Sequence, residues 1–125
     1  MARFTPGARF MLPSDSATSA FSSVFEDDGK TGYFYAYDRS RKAQRILDAV
    51  HVYTAAELAA GEGSEALITW SPDGLKAGLI VDDRLCALVD FAAGKAYSRS
   101  NFPAVSAWDG SPREEWRDRL ASLLI

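Results

Sequence analysis

One cysteine and one histidine, Cys86 and His51, are the residues of this chain that could supply nucleophilic chemistry. A catalytic cysteine needs a stabilised thiolate in a partly exposed setting, with a base such as histidine within hydrogen-bonding distance. Cys86 lies inside the apolar run 85–89, which predicts a strand in the core and a protonated thiol. We therefore interpret Cys86 as a core residue and His51 as incidental, and assign no catalytic residue.

Three polar patterns resemble ligand-binding or catalytic motifs but lack the residue spacing that those motifs require. Gly29-Lys30-Thr31 matches the end of a phosphate-binding loop, but the first glycine of that motif would fall on Val24. The acidic run 26–28 lacks the alternating ligand spacing of a calcium loop. Asp82 and Asp83 are adjacent, so on a strand their carboxylates would point to opposite faces. These patterns predict turns, and we expect no metal site and no cofactor.

The local pattern of greatest interest is a row of tyrosines. Tyr33, Tyr35 and Tyr37 alternate, so on a strand all three project from one face. Such a row could stack on a ligand or anchor a partner, because tyrosine combines a large rigid apolar body with a polar tip. The competing interpretation is that another element of the fold covers the row. Arg99 could add polar specificity to the same patch, although an ordinary exposed arginine also explains it.

Turn residues divide the middle of the chain into strands. Asp28-Gly29 separates two aromatic-rich runs and predicts a hairpin, and Pro72 and Gly74 form a second turn. Further strands are predicted over residues 44–53, 65–70, 75–83, 85–91 and 95–98, with a helix as the alternative for the first half of 44–53. Residues 54–64 predict one or two helical turns. Residues 1–19 predict irregular chain with one short strand near 8–12.

The C-terminus carries the signals of a helix over residues 111–124. Ser111, Pro112 and Glu114 form a capping-box pattern, and apolar residues recur at helical spacing at positions 116, 120, 123 and 124. Such a helix must bury its apolar face against another element. The sequence therefore predicts one α+β domain over residues 1–125, an antiparallel meander of about six or seven strands with this amphipathic helix packed on one face.

Composition and charge exclude several classes of protein. The 125 residues are 47 % hydrophobic and carry a net charge of −3, which is typical of a globular domain. The acidic balance argues against nucleic acid as a partner, and we interpret the cluster Arg39, Arg41, Lys42 and Arg45 as a solvated loop. We see neither a signal peptide nor an apolar run long enough to span a membrane. With one cysteine and no internal disulfide, we expect a cytoplasmic protein.

Several segments resemble a family of small bacterial proteins known as a domain of unknown function. The similar segments are FEDDGKTGYFYA, ILDAVHVY, ITWSPDGLKAGLIVDD, VDF and SRSNFP, within residues 20–103. The residues that carry the resemblance are Asp28, Gly29, Gly32, Tyr33, Trp70, Asp73, Gly74, Asp90, Phe91, Asn101, Phe102 and Pro103. The resemblance implies a mostly β cytoplasmic protein and supplies no catalytic residues.

Two functions remain open from the sequence. The first is a non-catalytic protein-interaction module, regulatory or toxin-neutralising, that uses the tyrosine row or a free strand edge and binds a protein partner or a second copy of itself. The alternative is a small-molecule-binding protein or enzyme with a site between sheet and helix. The overall acidic charge favours a basic protein partner.

Overall fold

Nine β-strands and two 3-10 helices form the regular structure of the computed structural model, which describes residues 1–58 and 63–125. The strands are β1 (Ala2–Phe4), β2 (Phe10–Asp15), β3 (Phe21–Asp27), β4 (Thr31–Asp38), β5 (Ile46–Thr54), β6 (Ser64–Trp70), β7 (Lys76–Val81), β8 (Arg84–Asp90) and β9 (Lys95–Ser98). The 3-10 helices are Ala55–Glu57 and Asp118–Leu124. The segments predicted as strands between residues 20 and 98 correspond to β3 through β9.

The strands form two antiparallel sheets. The four-stranded sheet has the order β2-β3-β4-β5, and the five-stranded sheet has the order β1-β6-β7-β8-β9. Apolar residues from both sheets belong to one buried cluster, so the sheets pack face to face. Phe25, Phe34 and Val50 contribute from the four-stranded sheet, and Leu79 and Val89 from the five-stranded sheet.

The predicted α+β fold is wrong, although the antiparallel strand direction is confirmed. A single meander of six or seven strands does not form, because the chain changes sheet after β1 and again after β5. No α-helix occurs in the described residues. The mostly β architecture implied by the family resemblance is therefore the one observed. None of the helices in the described part of the chain has the length and apolar character needed to cross a membrane.

The predicted amphipathic helix over residues 111–124 is also wrong, and tertiary contacts explain why. The Ser111 hydroxyl donates to the Asp109 carboxylate at 2.6 Å instead of capping a helix. Pro112 forms an isolated antiparallel bridge with Val105. Arg113 places its guanidinium on buried Asp48. A helix starting at residue 111 would have to break these contacts, so only the short 3-10 helix Asp118–Leu124 forms.

The N-terminal residues, predicted to be mostly irregular, form two strands. β1 pairs with β6, and this brings Phe4 into the core. There its ring lies 5.2 Å from the Phe10 ring and 5.1 Å from the Phe25 ring. Of the helical turns predicted over 54–64, the structure shows the 3-10 helix Ala55–Glu57, and residues 59–62 lie outside the described part.

The two predicted turns are present and depend on local hydrogen bonds. Asp28 accepts the amide hydrogens of Lys30 and Thr31, each at 2.9 Å, and Gly29 has a φ of 102°. In the β6–β7 turn, Gly74 has a φ of 70°, and its carbonyl accepts the Ser16 hydroxyl at 2.8 Å. Because Ser16 follows β2, this second turn also connects the two sheets.

Candidate functional site

The tyrosine row lies on the outer face of the four-stranded sheet. Tyr33, Tyr35 and Tyr37 are partly exposed, whereas Phe34 and Ala36 between them are fully buried in the core. The alternation predicted from the sequence is therefore confirmed, and the covering that would have hidden the row is not complete.

Neighbouring strands extend the row into a larger apolar surface. The register places Val24 of β3 opposite Tyr35, and Ile46 of β5 opposite Tyr37. Met11 of β2 and Ile46 are 59 % and 57 % exposed, values that are unusual for large apolar side chains. We call this surface the tyrosine face and define it by Met11, Val24, Tyr33, Tyr35, Tyr37 and Ile46.

A hydrogen bond holds the centre of the tyrosine face in place. The Tyr35 hydroxyl donates to Glu26 Oε1 at 2.9 Å. Burial of the phenol, followed by the hydrogen bond and charge of Glu26, raises the pKa of Tyr35 to about 12. Tyr35 therefore stays protonated at neutral pH and acts as a fixed hydrogen-bond donor, so its ring is preoriented.

Two further aromatic rings continue the tyrosine face toward β5. The His51 ring lies edge-to-face with Tyr33 at 5.9 Å between centroids, and with Phe102 at 6.0 Å. Phe102 is 53 % exposed, and its carbonyl accepts the His51 amide hydrogen at 2.8 Å. Sequence reasoning missed this extension, because Phe102 follows β9 of the other sheet and only the long-range hydrogen bond brings it to β5.

The His51 ring also contacts a serine, in an arrangement that resembles an activated nucleophile. Nδ1 of His51 lies 3.0 Å from Ser100 Oγ. However, the Ser100 hydroxyl also donates to the His51 carbonyl at 3.0 Å, and the other ring nitrogen faces Thr54 Oγ1 at 3.0 Å instead of a carboxylate. A catalytic serine needs a base that is itself oriented by a third group with the right charge. These contacts tie the loop after β9 to β5.

Cys86 does not join His51. Its thiol donates to the Arg84 carbonyl at 3.3 Å, and the His51 ring is occupied by Ser100 and Thr54. Burial is the largest cause that raises the pKa of the Cys86 thiol. A thiol with a raised pKa is a poor nucleophile at neutral pH. Cys86 is partly exposed and lies outside the buried core cluster, in contrast to the core position predicted for it.

The side chain of Arg99 contacts β8 and the C-terminal segment. Its guanidinium carbon lies 4.9 Å from the centre of the Trp116 ring, and its Nε donates to the Leu85 carbonyl at 2.8 Å. Its Nη1 lies 3.9 Å from Asp118. These contacts hold the C-terminal segment on the five-stranded sheet.

The acidic run before Gly29 organises the β3–β4 turn. Asp27 is 1 % exposed and accepts three hydrogen bonds: from the Gly7 and Gly29 amides at 2.7 and 2.8 Å, and from the Tyr53 hydroxyl at 2.6 Å. Its carboxylate is thus used within the fold. Within residues 1–58 and 63–125, no group of three or more His, Cys, Asp or Glu is placed to hold a metal ion.

A site between sheet and helix was the alternative location for a ligand. The C-terminal residues 111–114 do pack against β9, and the cavity between them has a volume of about 20 Å³. Lys95 and Tyr97 line it, and both side chains contact Glu114. This volume holds roughly one water molecule, so the geometry of this cavity offers no room for a substrate.

The outer faces of the two sheets differ in what covers them. On the five-stranded sheet, Leu124 packs over Gly78, where an added Cβ would lie 2.6 Å from it. Leu88, which is paired with Gly78 and shares its face, is fully buried. The C-terminal segment thus covers the part of this outer face around Gly78, whereas the tyrosine face of the other sheet keeps Met11 and Ile46 more than half exposed.

Comparison with known proteins places the chain in a family. A family model described as "Uncharacterized protein conserved in bacteria (DUF2251)" matches residues 4–125. An uncharacterised protein of Haemophilus influenzae is 35 % identical over 102 residues, which cover 81 % of this chain and 63 % of that relative. The chain therefore spans less than two-thirds of the length of this relative. No solved structure matches significantly.

Proposed function

This chain belongs to the DUF2251 family of uncharacterised bacterial proteins, and we propose that it is a non-catalytic protein-interaction module that binds a protein partner through the tyrosine face. The family match covers almost the whole chain, including residues 4–19 and 104–125, which lay outside the resemblance seen in the sequence. The description of the family contains no activity, so the proposal rests on the geometry of the site.

The observation that carries the proposal is the contrast between the two outer faces. Both outer faces carry large apolar side chains, but on the five-stranded sheet Leu124 packs over Gly78, Leu88 is fully buried and Leu67 is 37 % exposed. The tyrosine face keeps Met11 and Ile46 more than half exposed. Clustered exposed apolar residues typically mark interaction sites on folded proteins, and tyrosine and methionine are enriched at such sites.

The rigidity of the tyrosine face also supports binding. Tyr35 is held by Glu26, and Tyr33 packs against Tyr35 at 6.4 Å between ring centroids. Rings that are already ordered lose little side-chain entropy when a partner docks on them. The groove over these rings has a volume of about 470 Å³ and is open along the sheet, so it suits an extended segment of a macromolecular partner better than a small molecule, which needs a site that encloses most of its surface.

A free strand edge was the other interaction surface considered from the sequence. In the four-stranded sheet β2 is an edge strand and contains Pro13. Proline has no amide hydrogen, so it interrupts the hydrogen bonding of a strand added at that edge. Pro13 therefore favours the face of this sheet over its β2 edge as the binding surface.

Site-specific photo-crosslinking in bacterial cells tests the proposal. A photoreactive phenylalanine analogue at Tyr37 replaces an aromatic side chain with another and leaves the core untouched. The matched control carries the analogue at Leu67, an exposed position in β6 of the other sheet. We expect a discrete adduct with a protein from position 37, none from position 67, and loss of the adduct when Val24→Asp is added.

Three outcomes would contradict the proposal. These are the absence of an adduct at position 37, an adduct that is equally strong at position 67, and an adduct of twice the mass of the chain. The last outcome would show that a second copy occupies the tyrosine face. Urea denaturation of the Val24→Asp variant distinguishes loss of binding from loss of folding, because a folded variant keeps a cooperative transition.

A further inference from the structure

A basic loop lies at one end of the tyrosine face. The loop joins β4 to β5, the two strands that carry Tyr37 and Ile46, and it contains Arg39, Arg41, Lys42 and Arg45. In a chain with a net charge of −3, four cations within seven residues form a local patch of opposite sign. A partner bound to the tyrosine face would therefore also lie close to this basic loop.

The carboxylates near the tyrosine face have partners within the fold, and for two of them, Asp15 and Asp38, a partner is an arginine. Glu26 accepts the Tyr35 hydroxyl, and Asp15 accepts the Ser22 hydroxyl at 2.6 Å and lies 3.8 Å from Arg39. Asp38 lies 3.6 Å from Arg41. Among the described residues no ion pair is formed by Lys42 or Arg45. Of the loop cations, Lys42 and Arg45 thus have no counterion in the described part of the chain, and Arg41, whose counterion is Asp38, stays 48 % exposed.

Ile46 lies between the tyrosine row and the guanidinium groups of Arg41 and Arg45. Ile46 lines the groove over Tyr35 and Tyr37 and also lines a second hollow that contains Arg41 and Arg45. Backbone carbonyls contact both arginine side chains: Arg45 Nε donates to the Arg41 carbonyl at 2.6 Å, and Arg41 Nη1 donates to the Gln44 carbonyl at 3.5 Å. The side chains are thus anchored in the loop, and the rest of the Arg45 guanidinium can accept a carboxylate.

We propose that the protein partner presents an acidic segment, with apolar side chains on the tyrosine face and carboxylates on Arg41 and Arg45. This inference rests on the proposed function of the tyrosine face and adds the chemistry of its partner. The overall charge of the chain favours a basic partner, whereas the local charge at the binding surface favours an acidic one. Local complementarity determines the contact, because surface charges beyond about 10 Å are screened by salt.

Selection from a random peptide display library on the immobilised protein tests this chemistry. We expect the selected peptides to be enriched in Asp and Glu together with aromatic or aliphatic residues. One labelled selected peptide then serves as the probe in fluorescence anisotropy. The charge-reversal variant Arg41→Glu/Arg45→Glu should weaken its binding by roughly tenfold or more. Arg84→Glu/Arg119→Glu, which makes the same change in net charge elsewhere on the surface, should leave binding within about twofold.

The outcomes separate the two proposals. Selected peptides that are basic or neutral, or wild-type affinity of the Arg41→Glu/Arg45→Glu variant, overturn the acidic partner. If Val24→Asp still abolishes binding in that case, the proposed function stands. An acidic peptide that binds Val24→Asp as well as wild type overturns the use of the tyrosine face, and recovery of no peptide overturns the inference. A urea transition for each variant shows that it is folded.

Discussion

Arg113 and Asp48 form a bidentate ion pair in which each side chain is 1 % exposed. Nη1 donates to Oδ2 at 2.9 Å and Nη2 to Oδ1 at 3.1 Å. The same guanidinium donates to the carbonyls of Ala96 and Pro103. Because Asp48 belongs to β5 and Ala96 to β9, this one side chain joins the edges of both sheets to the C-terminal segment.

Replacement of Arg113 by methionine should strongly destabilise the protein. The variant leaves the Asp48 carboxylate buried without its counterion, which typically costs about 3–5 kcal/mol of unfolding free energy. Urea denaturation measures this loss. As control, Arg3→Met removes the exposed ion pair with Glu65 and should cost about 0–1 kcal/mol. Equal losses in the two variants would mean that the buried pair does not stabilise the fold as described.

Gly74→Ala should destabilise the protein more than Gly110→Ala. Both glycines have positive φ values, 70° and 74°, so each substitution pays a similar backbone strain of about 1–2 kcal/mol. At Gly74 the new Cβ would also lie 2.5 Å from Ser16 Oγ, whereas at Gly110 nothing lies within 4 Å. The difference between the melting temperatures of the two variants measures how tightly Ser16 packs against the β6–β7 turn at Gly74. Similar melting temperatures would contradict it.

Leu124→Asp should destabilise the protein by about 1–3 kcal/mol, because a charged side chain cannot pack over Gly78. Ile125→Asp is the matched control, since Ile125 is 93 % exposed and its substitution should change stability by less than about 0.5 kcal/mol. Chemical denaturation of both variants provides the comparison. If Leu124→Asp is as stable as the control, the C-terminal segment does not hold the outer face of the five-stranded sheet.

Alkaline pH should weaken the fold through Tyr35. Its pKa is raised from 10.0 to about 12, so the native state favours the protonated phenol. The stabilisation is complete below about pH 10 and is lost as the pH rises through about 12. Glu26→Gln should lower the pKa of Tyr35, because it removes a charge that disfavours the phenolate. Ultraviolet titration of phenolate absorbance, with Tyr35→Phe to identify the signal, measures the shift.

A control for this titration is Glu65→Gln, which removes a carboxylate that pairs with Arg3. It should leave the Tyr35 titration unchanged. A Glu26→Gln variant with the wild-type Tyr35 titration would show that the hydrogen bond at 2.9 Å does not set the protonation of this phenol.

The strands and turns of the middle of the chain could be predicted because their signals are local. Alternation with period two places Tyr33, Tyr35 and Tyr37 on one face whatever the strand packs against. Gly29 and Gly74 mark turns because the required positive φ is a property of single residues. The alternation and the turn glycines each depend on only a few neighbouring residues, so the tertiary structure retains both features.

The error at the C-terminus has the opposite origin. Ser111 and Glu114 carry a capping pattern that is worth about 1 kcal/mol when a helix forms. In the structure Ser111 bonds to Asp109, and Glu114 contacts Lys95 and Tyr97. The partners of Glu114 lie 19 and 17 residues away in the sequence and the partner of Ser111 only two, so long-range contacts together with a competing local one outweighed the capping pattern.

The sequence by itself determined which residues alternate across the strands between residues 20 and 98, and where the chain turns between those strands. Only the tertiary structure decided that β1 pairs with β6, that the strands divide into two sheets, and which of the two outer faces stays open. The physical reason is range: local patterns depend on backbone geometry, whereas sheet pairing and coverage depend on contacts such as Arg113 with Asp48, which are 65 residues apart. No local signal encodes such contacts.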